Sequence, residues 1–352
     1  MRILGREDVA AALAGLDAAV LDAVRTAYVL HGQGRSEVPF SGFLRPPGDS
    51  GSRIISLPAY LGGPEPVMGL KWISSFPANV EKGLQRASSV QILNDLDTGY
   101  PLAVLEGGQI SASRTAASAA LASRALHGGA RPVHTVGLIG CGTINRRVLD
   151  FLLLAHPELR TVVLQDAVPG RAKTLAAQLT AQLTAQLGDE RPGLRCTPGG
   201  LAEALRADTV SIATTDSTYW LDLAAHPDRP AHQVVLHLSL RDLTPDSVLD
   251  AYNVVDDTDH VMRERTSLHR AEQEVGHRRF VAAEIAAVLA GEAPAPKPGQ
   301  TVVFSPFGLG ILDLAVARTV LAAADRAGIG GEAAGFDPGR HGVTAALAGG
   351  TA

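Results

Sequence analysis

The run Thr135-Val-Gly-Leu-Ile-Gly-Cys-Gly-Thr-Ile-Asn145, continued by Arg146-Arg-Val-Leu-Asp-Phe-Leu-Leu-Leu154, constrains the fold more than any other stretch of the chain. It reads as a buried strand, a glycine turn and the start of a helix. Such an arrangement presents unpaired N–H groups and the positive end of a helix dipole to an anion. Gly140 permits the tight turn, and Gly142 lets the backbone approach a pyrophosphate. A second apolar run, Thr161 to Gln165, ends at Asp166, about 20 residues on, where an acid holds a ribose diol. The expected dinucleotide site is therefore Gly140, Gly142, Thr143, Ile144, Asn145 and Asp166. Asn145 stands where the usual pattern has a third glycine, so helix–strand packing there has to accommodate a side chain. The alternative is a bland glycine turn in an unrelated α/β domain. The strand before, the helix after and the acid in place favour the nucleotide.

Further strands are expected at 209–213, 233–238, 252–255 and 301–304, with helical stretches between them. Strands alternating with helices build a parallel, doubly wound sheet. In such sheets ligands bind outside the carboxyl ends of the strands, which directs attention to Thr214 and Thr215 after one strand and Asp242 after another. A carboxylate at that edge can take a proton or activate water; the plainer reading of Asp242 is a helix cap before Pro245. Asp256, Asp257 and Asp259 read as a solvated acidic loop. Thr174 to Leu187 reads as a helix with Leu175, Leu179, Leu183 and Leu187 on one core-facing stripe.

The first hundred residues are β-rich. Residues 7–31 carry a helical apolar stripe, broken near Gly15, and short strands follow at 40–44, 53–57, 67–73 and 100–105. Ser111 is positioned to cap a helix reaching Leu126. The apolar helix 311–327 arrives after the nucleotide unit has closed, so it is expected to return to the first unit. The expected architecture is thus a Rossmann-like doubly wound parallel sheet (115–304) inserted in a discontinuous α+β domain (1–114 and 305–352). Arg45, Arg53, Lys71 and Arg114 lie on or beside elements that read as buried or half-buried. Cations so placed need anionic partners, and arginines suit carboxylates; each one alone is also explained by an ordinary surface ion pair.

At 352 residues, 46% hydrophobic and 19% charged, the chain is long enough for two globular domains. A net charge of −5 without a basic run argues against a nucleic-acid partner. No run of 18 apolar residues suggests a membrane span. Two cysteines, one inside the glycine turn, fit a reducing cytoplasm better than a disulfide framework. There is no metal-ligand spacing, no Gly-x-Ser-x-Gly elbow and no nucleoside-triphosphate loop.

Taken together, Gly69-Leu-Lys-Trp72, Ala112-Ser-Arg-Thr-Ala-Ala117, Gly140-Cys-Gly142, Asp242 and Phe307-Gly-Leu-Gly-Ile-Leu-Asp313 resemble the ornithine cyclodeaminase/μ-crystallin family in order and spacing over nearly the whole chain. The resemblance implies a central NAD-binding domain and a substrate domain completed by the C-terminal helix, through which two subunits form a homodimer. Within the family, Arg53 to Pro58, Gln85 to Ser89, Ile92 to Asp95 and Gly140 to Arg146 are most similar to the branch that oxidises N-(2-amino-2-carboxyethyl)-L-glutamate in siderophore and peptide-antibiotic pathways. Ser56 stands where cyclodeaminases carry the glutamate that meets ornithine's amine. On this likeness the substrate is a small polycarboxylate amino acid held by Arg45, Arg53, Arg114 and Lys71, with Lys71 and Asp242 catalytic. Asp166 repels a 2′-phosphate and so favours NAD over NADP, while the nearby Arg171 pulls the other way. The resemblance also leaves open a cyclodeaminase, an imine reductase or alanine dehydrogenase-like enzyme, and a non-catalytic cofactor binder.

Overall fold

The computed structural model describes residues 1–48, 51–128, 131–188 and 193–336. The chain divides into two compact units. The first contains Met1–Leu16, Arg35–Ser111 and the chain from Gly310; the second contains Asp17–Gly34 and Ala112–Leu309. The N-terminal apolar stripe is therefore shared. It forms two helices, α1 (Arg6–Leu13) and α2 (Asp17–Gly32), separated at Gly15 in the left-handed region, and α2 belongs to the second unit. A contiguous 1–114 segment does not describe this excursion. No helix among the described residues is long and apolar enough to cross a membrane.

In the first unit an eight-stranded sheet is built from β1 (Arg2–Leu4), β2 (Ser36–Glu37), β3 (Gly42–Leu44), β4 (Arg53–Leu61), β5 (Val67–Ser75), β6 (Ala87–Asn94), β7 (Pro101–Glu106) and, far along the chain, β16 (Gly331–Glu332). Its order is β16-β1-β7-β6-β5-β4-β2, with β3 also on β4, and every pairing is antiparallel except β1 with β7. Pro58, which cannot donate to a ladder, falls on β4 in the gap between the residues paired to β3 and those paired to β2. Alternation on β5 turns Val67, Gly69 and Lys71 inward and Trp72 outward. The inner face packs on α11 (Gly310–Ala327), whose Ile311, Leu312, Leu314 and Val316 are buried. The segment after Gly328 supplies β16 as far as the described residues reach; the chain from 337 onward lies outside them.

In the second unit eight strands form an all-parallel sheet: β8 (Thr135–Ile139), β9 (Thr161–Gln165), β10 (Arg195–Pro198), β11 (Thr209–Ile212), β12 (Val234–His237), β13 (Tyr252–Val255), β14 (Val281–Glu284) and β15 (Val302–Ser305). The order is β10-β9-β8-β11-β12-β15-β13-β14, so the last strand made lies between two earlier ones. Strands β11, β12, β13 and β15 are buried at every residue, as a parallel sheet covered on both faces requires. Helix α4 (Thr143–Ala155) buries Val148, Leu149, Phe151 and Leu152. Helix α5 (Arg171–Leu187) buries Leu175, Leu179 and Leu183; the side chain of Leu187 lies outside what is described. The strand order reverses between β8 and β11, which fixes where the glycine turn opens.

Candidate active site

The glycine turn leaves β8 at Gly140, whose φ is +93° and whose added Cβ would lie 2.4 Å from the Ala213 carbonyl oxygen at the end of β11. Only glycine is accommodated there. Gly142 caps α4 with extended backbone, and among the described residues no atom beyond its own chain neighbours lies within 4 Å of the place a Cβ would take. Thr143 is exposed and Ile144 half-buried, so the first turn of α4 is open to a ligand. Asp166, just past β9, accepts the Cys141 N–H at 2.7 Å and the Val168 N–H at 2.8 Å, and it lies 3.5 Å from the half-exposed Arg171 guanidinium. The acid thus stitches the β9 end to the glycine turn. Burial and the Asp166 charge push the Cys141 thiol up to about 11, which keeps it a neutral packing group.

Asn145 turns inward and is fully buried. Its Nδ2 donates to the carbonyls of Ile139 (2.9 Å) and Gly140 (2.8 Å), and its Oδ1 accepts the Ser211 hydroxyl (2.7 Å). The side chain that replaces the third glycine therefore clamps the ends of β8 and β11 instead of reaching toward a ligand.

Asp242, after β12, is fully buried. Its Oδ1 accepts Thr214 Oγ1 at 2.5 Å and Trp220 Nε1 at 3.3 Å; its Oδ2 accepts Ser239 Oγ and lies 3.3 Å from His237 Nε2. His237 in turn meets Ser305 Oγ at 3.2 Å through Nδ1. Burial pushes the Asp242 carboxyl up, but hydrogen bonds from His237, Ser239 and Thr214 outweigh it and hold the group below its ordinary value. The cap of the following helix is Thr244, not Asp242: its hydroxyl accepts the Ser247 N–H. Thr215 is exposed at the same strand edge.

The acidic loop is solvated at Asp259, which is exposed, but not at its other two acids. Asp256 is buried and accepts the N–H groups of Phe307 (2.8 Å) and Gly308 (2.7 Å); its neighbour Asp257 pairs with His31 at 3.2 Å and accepts the His260 N–H. Burial raises the Asp256 carboxyl. The pair of amides it holds shapes a turn on which the Arg114 guanidinium packs: a Cβ at Gly308 would lie 2.7 Å from Arg114 Nη1. Arg114 itself is half-buried on α3 (Gly107–Leu126).

In the first unit Lys71 is buried, with Nζ 3.1 and 3.2 Å from the two carboxylate oxygens of Asp313 and 2.9 Å from Ser111 Oγ. Ser111 is not the helix cap expected from sequence. Helix α3 begins at Gly107, four residues earlier, and the serine hydroxyl serves the lysine. Gln91 lies across the ladder from Lys71, fully buried, with neither amide heteroatom bonded among the described residues. Arg53 opens β4 opposite Ser75, and Ser75 Oγ accepts Arg86 Nη1 at 3.0 Å. Burial and the charge of Arg53 lower the Arg86 guanidinium, so two cations share one end of the sheet. Arg45 is exposed, its guanidinium 4.9 Å over the Phe43 ring.

Sequence reasoning missed Asp313 and Arg86. An acid inside Ile311-Leu-Asp-Leu-Ala-Val316 was the available signal for the first. For the second it was an arginine in Gln85-Arg-Ala-Ser-Ser89, a stretch noticed without being given a role.

The model of the ornithine cyclodeaminase/mu-crystallin family matches residues 3–186. The chain is 26% identical over 344 residues to N-((2S)-2-amino-2-carboxyethyl)-L-glutamate dehydrogenase of Staphylococcus aureus, covering 94% of this chain and 97% of that one. It is 29% identical over 332 residues to alanine dehydrogenase of Archaeoglobus fulgidus, covering 90% and 93%. Among solved structures, Delta(1)-pyrroline-2-carboxylate reductase of Thermococcus litoralis in complex with NADH and L-proline superposes with a TM-score of 0.83 at 25% identity, covering 95% of this chain and all of the other.

Proposed function

The chain belongs to the ornithine cyclodeaminase/mu-crystallin family, and from that premise we propose that it oxidises N-(2-amino-2-carboxyethyl)-L-glutamate with NAD, releasing 2,3-diaminopropionate and 2-oxoglutarate. More broadly, it is an NAD-dependent amino-acid dehydrogenase or reductase. The residues present fit the cofactor: the first turn of α4 is open at Gly142, and Asp166 stands at the end of β9 for a ribose diol. Gly140, Gly142, Thr143 and Ile144 would hold NAD there, and the cofactor would supply a hydride acceptor for the carbon bearing the substrate's secondary amine.

The remaining work falls to side chains. Arg53 and Arg86 bind substrate carboxylates, which suits a guanidinium pair, and Arg114 serves another. Lys71, held by Asp313 and Ser111, stabilises negative charge on the substrate. Asp242 removes a proton as water adds to the imine carbon, and collapse of the carbinolamine separates the two products. The observation that carries this reading is the Arg53–Arg86 pair, two cations at one sheet end that suit a substrate with several carboxylates. Incubation of the protein with the synthetic substrate and NAD⁺ is expected to yield NADH and both products by mass. NADH formation with L-alanine but none with this substrate would overturn it in favour of a neutral amino-acid dehydrogenase, the reading that the 29% identical alanine dehydrogenase supports. We further propose a cytoplasmic homodimer formed on the outer face of the first unit's sheet. Trp72 and Val90, paired across β5 and β6, and Leu102 are exposed there.

A further inference from the structure

We infer that Asp256 is a positioning residue for substrate binding: by fixing the turn at Phe307 and Gly308 it seats the Arg114 guanidinium where a substrate carboxylate meets it. This rests on the reading of Arg114 as a carboxylate ligand in the proposed reaction.

Asp256 follows β13 and is 1% exposed. Its Oδ1 accepts the N–H groups of Phe307 (2.8 Å) and Asp257 (3.0 Å), and its Oδ2 accepts that of Gly308 (2.7 Å). Burial and the charge of Asp257 both oppose ionisation there, and backbone amides alone act against them. An asparagine would serve one side of the turn only, because its amide nitrogen is a donor. Holding the amides of two consecutive residues, one on each oxygen, takes an acceptor-only group.

The turn so held presents Gly308 at φ +94°, and the guanidinium of Arg114 lies against it. A Cβ at Gly308 would stand 2.7 Å from Nη1, 3.0 Å from Nη2 and 3.3 Å from Cζ of Arg114. Those three atoms are the planar end of the side chain, so the turn backs the fork and not merely the stem. A larger residue at 308 would push the fork off its seat.

Phe307 and Gly308 come after β15, which lies between β12 and β13. The seat is therefore at the carboxyl edge of the parallel sheet, beside the strand that precedes Asp242, and ligands of such sheets bind at that edge. A guanidinium takes a carboxylate through two parallel N–H bonds, which a rigid fork makes only when its plane is fixed.

The test uses the full-length protein with NAD⁺ and whichever substrate of an acidic and neutral amino-acid panel the wild type oxidises fastest. Asp256→Asn releases one side of the turn. It is expected to raise KM by up to ~10²-fold, the effect of about 1 Å of misplacement. Turnover at saturation and NADH affinity by fluorescence titration should stay close to the wild type, the pattern of lost ground-state binding. Arg114→Ala should raise KM at least as far, and adding Asp256→Asn to it should change nothing further, since a residue that acts through Arg114 has no effect without it. Wild-type KM in Asp256→Asn overturns the inference. Losses that multiply in the double variant overturn it too, while leaving the Arg114 reading in place. Wild-type KM in Arg114→Ala overturns that reading and the inference with it. Should Asp256→Asn fail to fold or to bind NADH, Gly308→Ala decides, because its Cβ displaces the guanidinium and leaves Asp256 untouched. A rise in KM that vanishes in the Arg114→Ala background upholds the seat, and a wild-type KM in Gly308→Ala overturns it.

Discussion

Removing the carboxylate of Asp313 is the sharpest test of how the first unit holds its buried charge. The Lys71 ammonium lies 3.1 and 3.2 Å from both Asp313 oxygens, with 3% and 0% of the two side chains exposed. Breaking a buried ion pair by deleting one partner costs about 3–5 kcal/mol. Replacing both partners with apolar groups of similar volume is often close to neutral. We therefore expect Asp313→Leu to destabilise the first unit by about 3–5 kcal/mol and the double variant Lys71→Met with Asp313→Leu to recover most of that loss. The assay is urea unfolding followed by Trp72 fluorescence in a Trp220→Phe background, which leaves one tryptophan of the two in the chain. A single-variant cost below about 1 kcal/mol, the range of an exposed pair, would refute the reasoning. So would a double variant as unstable as the two singles added together.

Three further outcomes are expected. Gly140→Ala forces a left-handed residue and brings Cβ to 2.4 Å of a backbone oxygen; NADH affinity by fluorescence titration should fall at least tenfold, and unchanged affinity would show that the turn can relax. Burial pushes both His127 and His156 down to about 4, helped by Arg131 at the first and by His127 and Arg124 at the second. The unfolded chain therefore binds more protons between pH 4 and the ordinary histidine value of 6.5, so stability is full above that window and falls as pH drops through it. A double replacement of both histidines by glutamine should flatten the dependence of the unfolding midpoint on pH there, and an unchanged slope would remove them as its source. Asp166→Ala should weaken NAD⁺ binding and shift preference toward NADP⁺, since Arg171 then loses its carboxylate neighbour; tighter NADP⁺ than NAD⁺ binding in the wild type would contradict the role given to the acid.

What was legible in the sequence was local. The glycine turn, Asp166 and the apolar runs of the second unit carry their conformation in adjacent residues, and the structure bears out the parallel sheet they imply. The alternation of Val67 to Ile73 likewise marked a strand with Lys71 inside. Partners were not legible. Lys71 and Asp313 stand 242 residues apart, and no spacing rule joins them. Ser111 looked like a cap because serine before an alanine-rich run usually is one; the lysine on a distant strand decided otherwise. Asp256 read as solvated because three acids close together normally are, yet two backbone amides from Phe307 and Gly308 meet it inside the fold. Asp242 was found by position, but only coordinates show that its oxygens face Thr214, Trp220, Ser239 and His237.

The placement of β15 between β12 and β13 bears on how the chain comes off the ribosome. Until residues 302–305 emerge, β12 ends one ribbon and β13 begins another, each with an open edge of unpaired amides and carbonyls, the kind of edge that recruits foreign strands. A nascent polypeptide arrested before Thr301 is thus a five-stranded ribbon and a two-stranded one awaiting their keystone. Truncations just upstream of β15 should accumulate as aggregates, whereas those ending beyond Ser305 should keep a sheet with no gap between β12 and β13.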